Sequence, residues 1–240
     1  MAIKEYLRRV FPGTAEKFSQ KAGEAMLGGK RLFVVTANPE ILIHAEEDPS
    51  IQAMLLDEGT AVVPDGISVV KAMNLLGYPA KERITGVDLA EKLLRLAGEK
   101  GKRVYLLGAK EEVVSALAEK LVAQYPKMEV RYKNGYGKDK DADFREIEAM
   151  QPDLTLVALG VPAQEKLIAR HLENFQKGVF IGVGGSFDVL SGSKRRAPAL
   201  FVKTNTEWLY RIVREPSRLG RFYRNNVKFL RAVRRESKKG

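Results

Sequence analysis

The chain is 240 residues long, 45% hydrophobic and 30% charged, a composition that suits one substantial folded core and excludes a disordered chain. It contains no cysteine, which excludes a disulfide framework, thiolate metal sites and a cysteine nucleophile, and fits a reducing compartment. The formal net charge is +11, and all of the excess lies in the tail: residues 195 to 240 carry 14 Lys+Arg against 3 Asp+Glu, while residues 1 to 194 are balanced.

In chain order, residues 1 to 30 read as helical and charged, without the uninterrupted apolar run of a signal peptide. No later stretch approaches the ~20 apolar residues of a membrane span, so any membrane contact is expected to be peripheral. Apolar, β-rich runs then follow at 32–36, 61–63, 104–107, 130–132, 154–159 and 179–183. Helical patterns separate them, at 67–76, 87–97, 111–125 and 164–175. This alternation predicts an α/β fold: a Rossmann-like, doubly wound, mostly parallel sheet spanning 1–194, followed by a basic helical appendage at 195–240. In such sheets the loops at the carboxyl ends of the strands line the ligand crevice. Here those loops are small and polar: ThrAlaAsnPro from Thr36, ProAspGly from Pro64, GlyAlaLys from Gly108, GlyValProAlaGln from Gly160 and GlyValGlyGlySer from Gly182.

Thr36, Asn38 and Asp65 converge at one rim if the first two strands are neighbours. Asp65, between a proline and a glycine, reads either as a turn residue capping the following helix or as a general base with Thr36 and Asn38 as orienting hydrogen-bonding groups. Arg83 precedes a helix that Thr85 or Asp88 can cap. It reads as a surface charge, as the ion-pair partner of an acidic neighbour, or as a planar fork beside a phosphate or the catalytic carboxylate. The loops at Gly108-Ala109-Lys110, Gly135-Tyr136 and Gly184-Gly185 leave backbone N–H groups free at helix starts, which suits a nucleotide diphosphate. None is a P-loop or a complete dinucleotide fingerprint. Asp139, Asp141 and Asp143 imitate a calcium loop but lack its glycine and distal glutamate, so they read as a solvated helix start. His44 and His171 read as packing or surface residues, and neither a metal nor a cofactor is expected.

The tail breaks at Glu215-Pro216 into two helices. In the second, Leu219, Phe222, Tyr223, Asn226, Phe229, Leu230 and Val233 recur at helical spacing, flanked by Arg218, Arg221, Arg224, Lys228, Arg231, Arg234 and Arg235. Such a helix can bury aromatics at an anionic membrane surface while its cations meet lipid head groups. The alternatives are packing on its own domain or on a second copy in a homo-oligomer, or nucleic acid, which is not the expected partner.

Read in order, ThrAlaAsnProGlu, ProAspGly, GluArgIleThrGlyValAspLeu, TyrLeuLeuGlyAla, AsnGlyTyr, ValAlaLeuGlyValProAlaGlnGluLys, GlyValGlyGlySerPheAspValLeuSerGly, ArgArgAlaPro and GluTrpLeuTyrArgIleValArgGluProSerArg resemble the WecG/TagA/CpsF family of bacterial glycosyltransferases. The resemblance runs from about Leu32 to about Arg235. It implies inverting, metal-independent transfer from a UDP-sugar donor to a polyprenyl-diphosphate-linked acceptor at the inner face of the cell membrane, with N-acetylmannosamine transfer to a lipid-linked N-acetylglucosamine the first activity to test. Another donor sugar, or a non-catalytic nucleotide-sugar binding module, stays open. Asp65 matches the family's proposed base, Thr36 and Asn38 its pocket neighbours, and Arg83 an arginine near the active site. Gln164 falls on the matching glycine-proline-glutamine motif, and substrate binding is further expected at Gly108, Ala109, Lys110, Gly135, Tyr136, Gly160, Gly184, Gly185 and Asp188. Arg214, Arg221 and Arg224 fall where the family's appendage carries arginines proposed to complete the site. Family members usually begin with a short strand ending in a glycine turn, and this chain departs from that pattern over residues 1 to 30.

Overall fold

A computed structural model describes residues 3–238, apart from the side chain of Arg218. Two helices, α1 (Ile3–Arg9) and α2 (Ala15–Leu27), precede the first strand, β1 (Arg31–Ala37). Then come α3 (Pro39–Glu47), α4 (Pro49–Leu56), β2 (Thr60–Pro64), α5 (Ile67–Leu75), α6 (Gly86–Glu99), β3 (Arg103–Gly108), α7 (Glu111–Gln124), β4 (Glu129–Lys133), α8 (Lys140–Met150), β5 (Leu154–Ala158), α9 (Ala163–His171), β6 (Gly178–Gly182) and α10 (Ser186–Ser191). The tail forms α11 (Ala199–Lys203), α12 (Glu207–Arg214) and α13 (Leu219–Ser237).

The six strands form one parallel sheet in the order β2-β1-β6-β5-β3-β4. The expected strands and helices are all present, with ends displaced by one or two residues; the helix expected over 164–175 finishes in a short 3-10 turn at Leu172–Asn174. The β-rich runs lack an apolar/polar alternation because both faces of the sheet are covered. Successive residues still point to opposite sides. Phe33, Val35, Leu107, Val157 and Phe180 join one core with α1, α3, α4, α5, α8 and α9. Val34, Val104, Leu106, Leu156 and Ile181 join the other with α2, α6 and α7.

The sheet edges are managed differently. Strand β4, of sequence EVRYK, is half-exposed and charged, which discourages pairing with another chain. The β2 edge is covered by the N-terminal segment: Val10 forms an isolated parallel bridge with Val62, and the Phe11 N–H donates to the Val62 carbonyl at 2.8 Å. The extended residues just after α1 therefore keep that edge from being bare.

The apolar stripe of α13 divides. Phe229, Ala232 and Val233 are buried in the core shared with α1, α3 and α5, whereas Leu219, Tyr223 and Leu230 are each more than half exposed. No helix among the described residues is long and apolar enough to cross a membrane.

Candidate active site

The pairing of β1 with β2 sets Thr36 opposite Val63 and Ala37 opposite Pro64. The Asp65 N–H then donates to the Ala37 carbonyl at 2.8 Å, which fixes Asp65 one residue beyond the strand, at the carboxyl edge of the sheet. Gly66 is the N-cap of α5, and the Asp65 carboxyl accepts from the Gly86 N–H at the start of α6. Thr36 is buried and donates from Oγ1 to the Gly182 carbonyl at 3.4 Å. Asn38 caps α3, its Oδ1 accepting from the Glu40 and Ile41 N–H groups at 2.9 and 3.1 Å. That cap uses the oxygen of Asn38 and leaves its amide nitrogen as the part able to meet a ligand.

Beside Asp65 lies an ion cluster joining the core to the tail. Arg83 donates to Glu207 Oε2 at 2.5 Å and to the Val202 carbonyl at 3.3 Å. Arg196 grips Asp88 with two nitrogens at 2.6 and 2.9 Å, and its Nε stands 3.6 Å from Glu207 Oε1. Thr85 caps α6 by accepting from the Asp88 N–H, and its hydroxyl in turn donates to the Asp88 carboxylate. Two of the readings of Arg83 thus hold together: it is an ion-pair partner, and it acts on Asp65. Glu207 is 4% exposed, and a buried carboxylate between two guanidiniums is costly to disturb from either side.

Asp65 is half-buried at the carboxyl edge of the sheet. Burial pushes its carboxyl from the ordinary 3.8 up to about 6; Arg211, then Arg83 and the Gly86 backbone N–H, restrain the rise, and Glu207 adds to it. A carboxylate poised near 6 is mostly ionised at neutral pH yet more basic than a solvated aspartate, which suits proton abstraction. A cavity of 670 Å³ opens on the α6 side, lined by Arg83, Thr85, Asp88, Ile67 and, from the tail, Val202 and Asn205.

The glycine loops sit at the other strand ends. Gly108 has φ 124°, and a side chain there would lie 2.4 Å from the Ala158 carbonyl, so only glycine lets β3 finish against β5. Ala109 follows with φ 57°, and its carbonyl accepts from the Gly135 N–H at 2.7 Å, joining the β3 and β4 loops. Lys110 stands at the start of α7, which has no side-chain cap, so the first N–H groups of that helix remain for an anion; at the start of α10, after Gly185, the Ser186 N–H already donates to the Val183 carbonyl at 3.1 Å. Tyr136 is 73% exposed above the Gly135 turn. Asp188 lies in the first turn of α10, 3.5 Å from Lys194. Gln164 is buried and ties the Gly160 and Gly184 loops together, accepting from their N–H groups at 3.1 and 3.0 Å.

Of the tail arginines, Arg221 stands 3.6 Å from Glu40 and Arg214 lies over the Tyr210 ring at 5.6 Å, while Arg224 is exposed. The tail cation acting most strongly on Asp65 is Arg211, which sequence reasoning missed together with Glu207 and Arg196. An isolated acid in a cationic run and the ArgArgAlaPro composition break were the available signals. The aspartates at 139 to 143 require a correction: Asp139 caps α8 as a helix start, but Asp143 is buried and paired with Lys133 and Lys140 at 3.0 and 3.2 Å rather than solvated. His171 is held between Asp141 and Glu148 at 2.8 and 2.5 Å as a packing residue.

A doubly wound parallel sheet with a poised carboxylate, cations and open amide turns at its carboxyl edge defines the class of α/β proteins that take anionic ligands at that edge. The profile of the Glycosyl transferase WecG/TagA/CpsF family matches residues 7–240, and the chain belongs to that family. It is 41% identical over 190 residues to a protein of Bacillus spizizenii strain W23, covering 79% of this chain and 74% of that one. It is 39% identical over 186 residues to one of Bacillus subtilis strain 168, covering 77% and 72%. A third relative, from Staphylococcus aureus strain MW2, is 38% identical over 191 residues, covering 79% and 75%. Each of the three is named N-acetylglucosaminyldiphosphoundecaprenol N-acetyl-beta-D-mannosaminyltransferase.

Proposed function

We propose that this glycosyltransferase moves N-acetylmannosamine from a UDP-linked donor to the N-acetylglucosamine of a polyprenyl-diphosphate acceptor, working peripherally at the inner face of the cell membrane. The observation that carries the reading is Asp65: it is half-buried at the carboxyl edge of β2, and burial raises its carboxyl to about 6 while Arg211 and Arg83 restrain the rise. The relatives' names supply the sugar and the acceptor.

In this mechanism Asp65 takes the proton of the acceptor hydroxyl. The oxygen attacks the anomeric carbon from the face opposite the leaving group, the carbon–phosphate oxygen bond breaks, and UDP departs with inversion. The acceptor sugar enters through the cavity that Arg83 lines, and Thr36 and Asn38 orient it. Negative charge grows on the departing diphosphate, where the open amides at the start of α7 beside Lys110 and the tail arginines stabilise it. The appendage at 195–240 brings the protein to the lipid. Val213, Leu219 and Tyr223 stay exposed on it beside Arg214, Arg221 and Arg224, the mixture that an anionic interface takes up.

The test is UDP release against a panel of UDP-sugars with a lipid-diphosphate-linked N-acetylglucosamine. Release with UDP-N-acetylmannosamine that depends on acceptor and survives EDTA is expected. Preference for another donor would move the assignment to a different sugar, and binding without release would reduce the protein to a nucleotide-sugar binding module.

A further inference from the structure

Next to Gln164 on α9 lies a second buried polar residue that the proposed chemistry leaves unused. Glu165 is 1% exposed. Its Oε1 accepts from Gln164 Nε2 at 2.7 Å, and its Oε2 is buried with no hydrogen-bond partner among the described residues. Both side chains press on the end of β6: a Cβ built on Gly182 would stand 2.6 Å from Gln164 Nε2 and 2.7 Å from Glu165 Oε1. On the opposite side of that same residue, Thr36 donates to the Gly182 carbonyl.

An amide has distinct ends, and its orientation follows from its partners. Gln164 Oε1 takes two backbone donors, from Gly160 and Gly184. If the amide turned over, its NH2 would face two N–H groups, and all three donors would lose their acceptor. Among the described residues, the side-chain acceptor that meets the NH2 end is Glu165 Oε1. We infer that Glu165 is a positioning residue for the transfer reaction: its buried carboxyl sets the direction of the Gln164 amide, so that the Gly160 and Gly184 loops are held together as one edge of the donor site.

The carboxyl can do this as a neutral acid. Burial pushes it up to about 7; the Gln164 amide opposes the rise, and Glu40 adds to it. In the neutral form Oε1 still accepts from the amide, and Oε2 carries the proton. A glutamine at 165 reproduces that form, with its oxygen toward Gln164, whereas leucine removes the acceptor at similar volume.

The inference rests on the Gly160 and Gly184 loops belonging to the donor site, so the test separates clamp from function. Hydrogen exchange at the Gly160 and Gly184 amides reads the clamp without any substrate. Calorimetric binding of UDP and the kcat-against-KM split for the UDP-sugar then read its use. Glu165→Leu is expected to speed exchange at both amides by about tenfold, the cost of one buried hydrogen bond. It should weaken UDP binding and raise the donor KM by a similar factor, with kcat and Tm little changed. Glu165→Gln is expected to match the wild type in all four readouts. Should the leucine variant not fold, Glu165→Asp withdraws Oε1 by roughly 1.5 Å and is read the same way.

Unchanged exchange at both amides in Glu165→Leu or Glu165→Asp would overturn the clamp. So would exchange that rises only in step with a global loss of Tm, or a Glu165→Gln variant as impaired as the leucine. Faster exchange with unaltered UDP affinity would keep the clamp and remove its role in donor binding. If wild-type protein fails to bind UDP at all, the nucleotide reading falls while the exchange data still judge Glu165.

Discussion

Replacing Asp65 by Asn is expected to abolish turnover and at the same time stabilise the protein. The carboxyl is raised from 3.8 to about 6 on folding, so between those pH values the folded state holds a proton that the unfolded chain has released. Stability from this group is therefore complete below about pH 4 and is lost as pH rises through about 6. At about 1.4 kcal/mol per pH unit the ceiling is about 3 kcal/mol, and the half-buried position of Asp65 trims it toward about 1 to 2 kcal/mol. Asparagine keeps the shape and removes the charge. Urea melts of the two proteins at pH 4 and pH 8 isolate the effect: the difference in unfolding free energy should be near zero at pH 4 and about 1 to 2 kcal/mol in favour of the variant at pH 8. In a chain of this size that is a rise in Tm of a few degrees. Turnover should fall by at least about a hundredfold. The comparison between proteins matters because Asp48, Asp88, Asp141 and Asp153 are shifted down and change the stability of both in the opposite sense. A variant that is less stable at pH 8, or one that turns over near the wild-type rate, would refute the assignment of Asp65 as a strained base.

Further outcomes follow from the same geometry. The acid limb of the wild-type kcat/KM profile should titrate near pH 6 and move upward in Arg211→Gln, since removing a nearby cation disfavours the carboxylate; an unmoved limb would mean that Arg211 does not act on Asp65. Glu207→Ala should cost about 2 kcal/mol in a chemical melt, because it leaves the part-buried Arg83 without its carboxylate while Arg196 keeps Asp88, and a loss under about 0.5 kcal/mol would place the cluster effectively in solvent. Changing Val213, Leu219 and Tyr223 together to Ser should reduce sedimentation with anionic vesicles by about tenfold or more while Tm is unchanged; undiminished binding would assign the membrane contact to another surface.

The sequence resolved the sheet well for a physical reason. Central strands covered on both faces must be apolar throughout, and the loops between them carry residues such as Gly108 that a close strand end demands. Local chemistry was also legible where it is local: Thr85 and Asp139 cap the helices they precede. What the sequence left ambiguous depends on docking between distant segments. Arg211, Arg214, Arg221 and Arg224 are equivalent in a helical pattern, and only the pairing of Glu207 with Arg83, 124 positions away in sequence, decides which of them acts on Asp65. The same holds for the stripe of α13, half of which enters the core beside α3 while half stays exposed. Asp143 reads as a surface acid until α8 turns it toward Lys133 on the edge strand.

In the proposed reaction the tail placement links the exposed apolar residues of the appendage to Asp65. Glu207 and Arg211 lie one turn apart on α12, so the ion pair that docks this helix to Arg83 also delivers the cation that restrains the rise of the Asp65 carboxyl. Trp208, between them in sequence, stacks on Phe222 of α13 with ring centroids 5.0 Å apart, and α13 in turn is rooted in the core through Phe229. If α12 leaves the core, Arg83 loses its carboxylate and Asp65 loses Arg211. The base then loses together the tail cation that restrains its rise and the Glu207 carboxylate that adds to it, so its charge environment depends on the docked helix. In the proposed reaction Val213 of α12 and Leu219 and Tyr223 of α13 meet the interface while α12 stays docked, so attachment and the charge environment of Asp65 both depend on how these two helices pack.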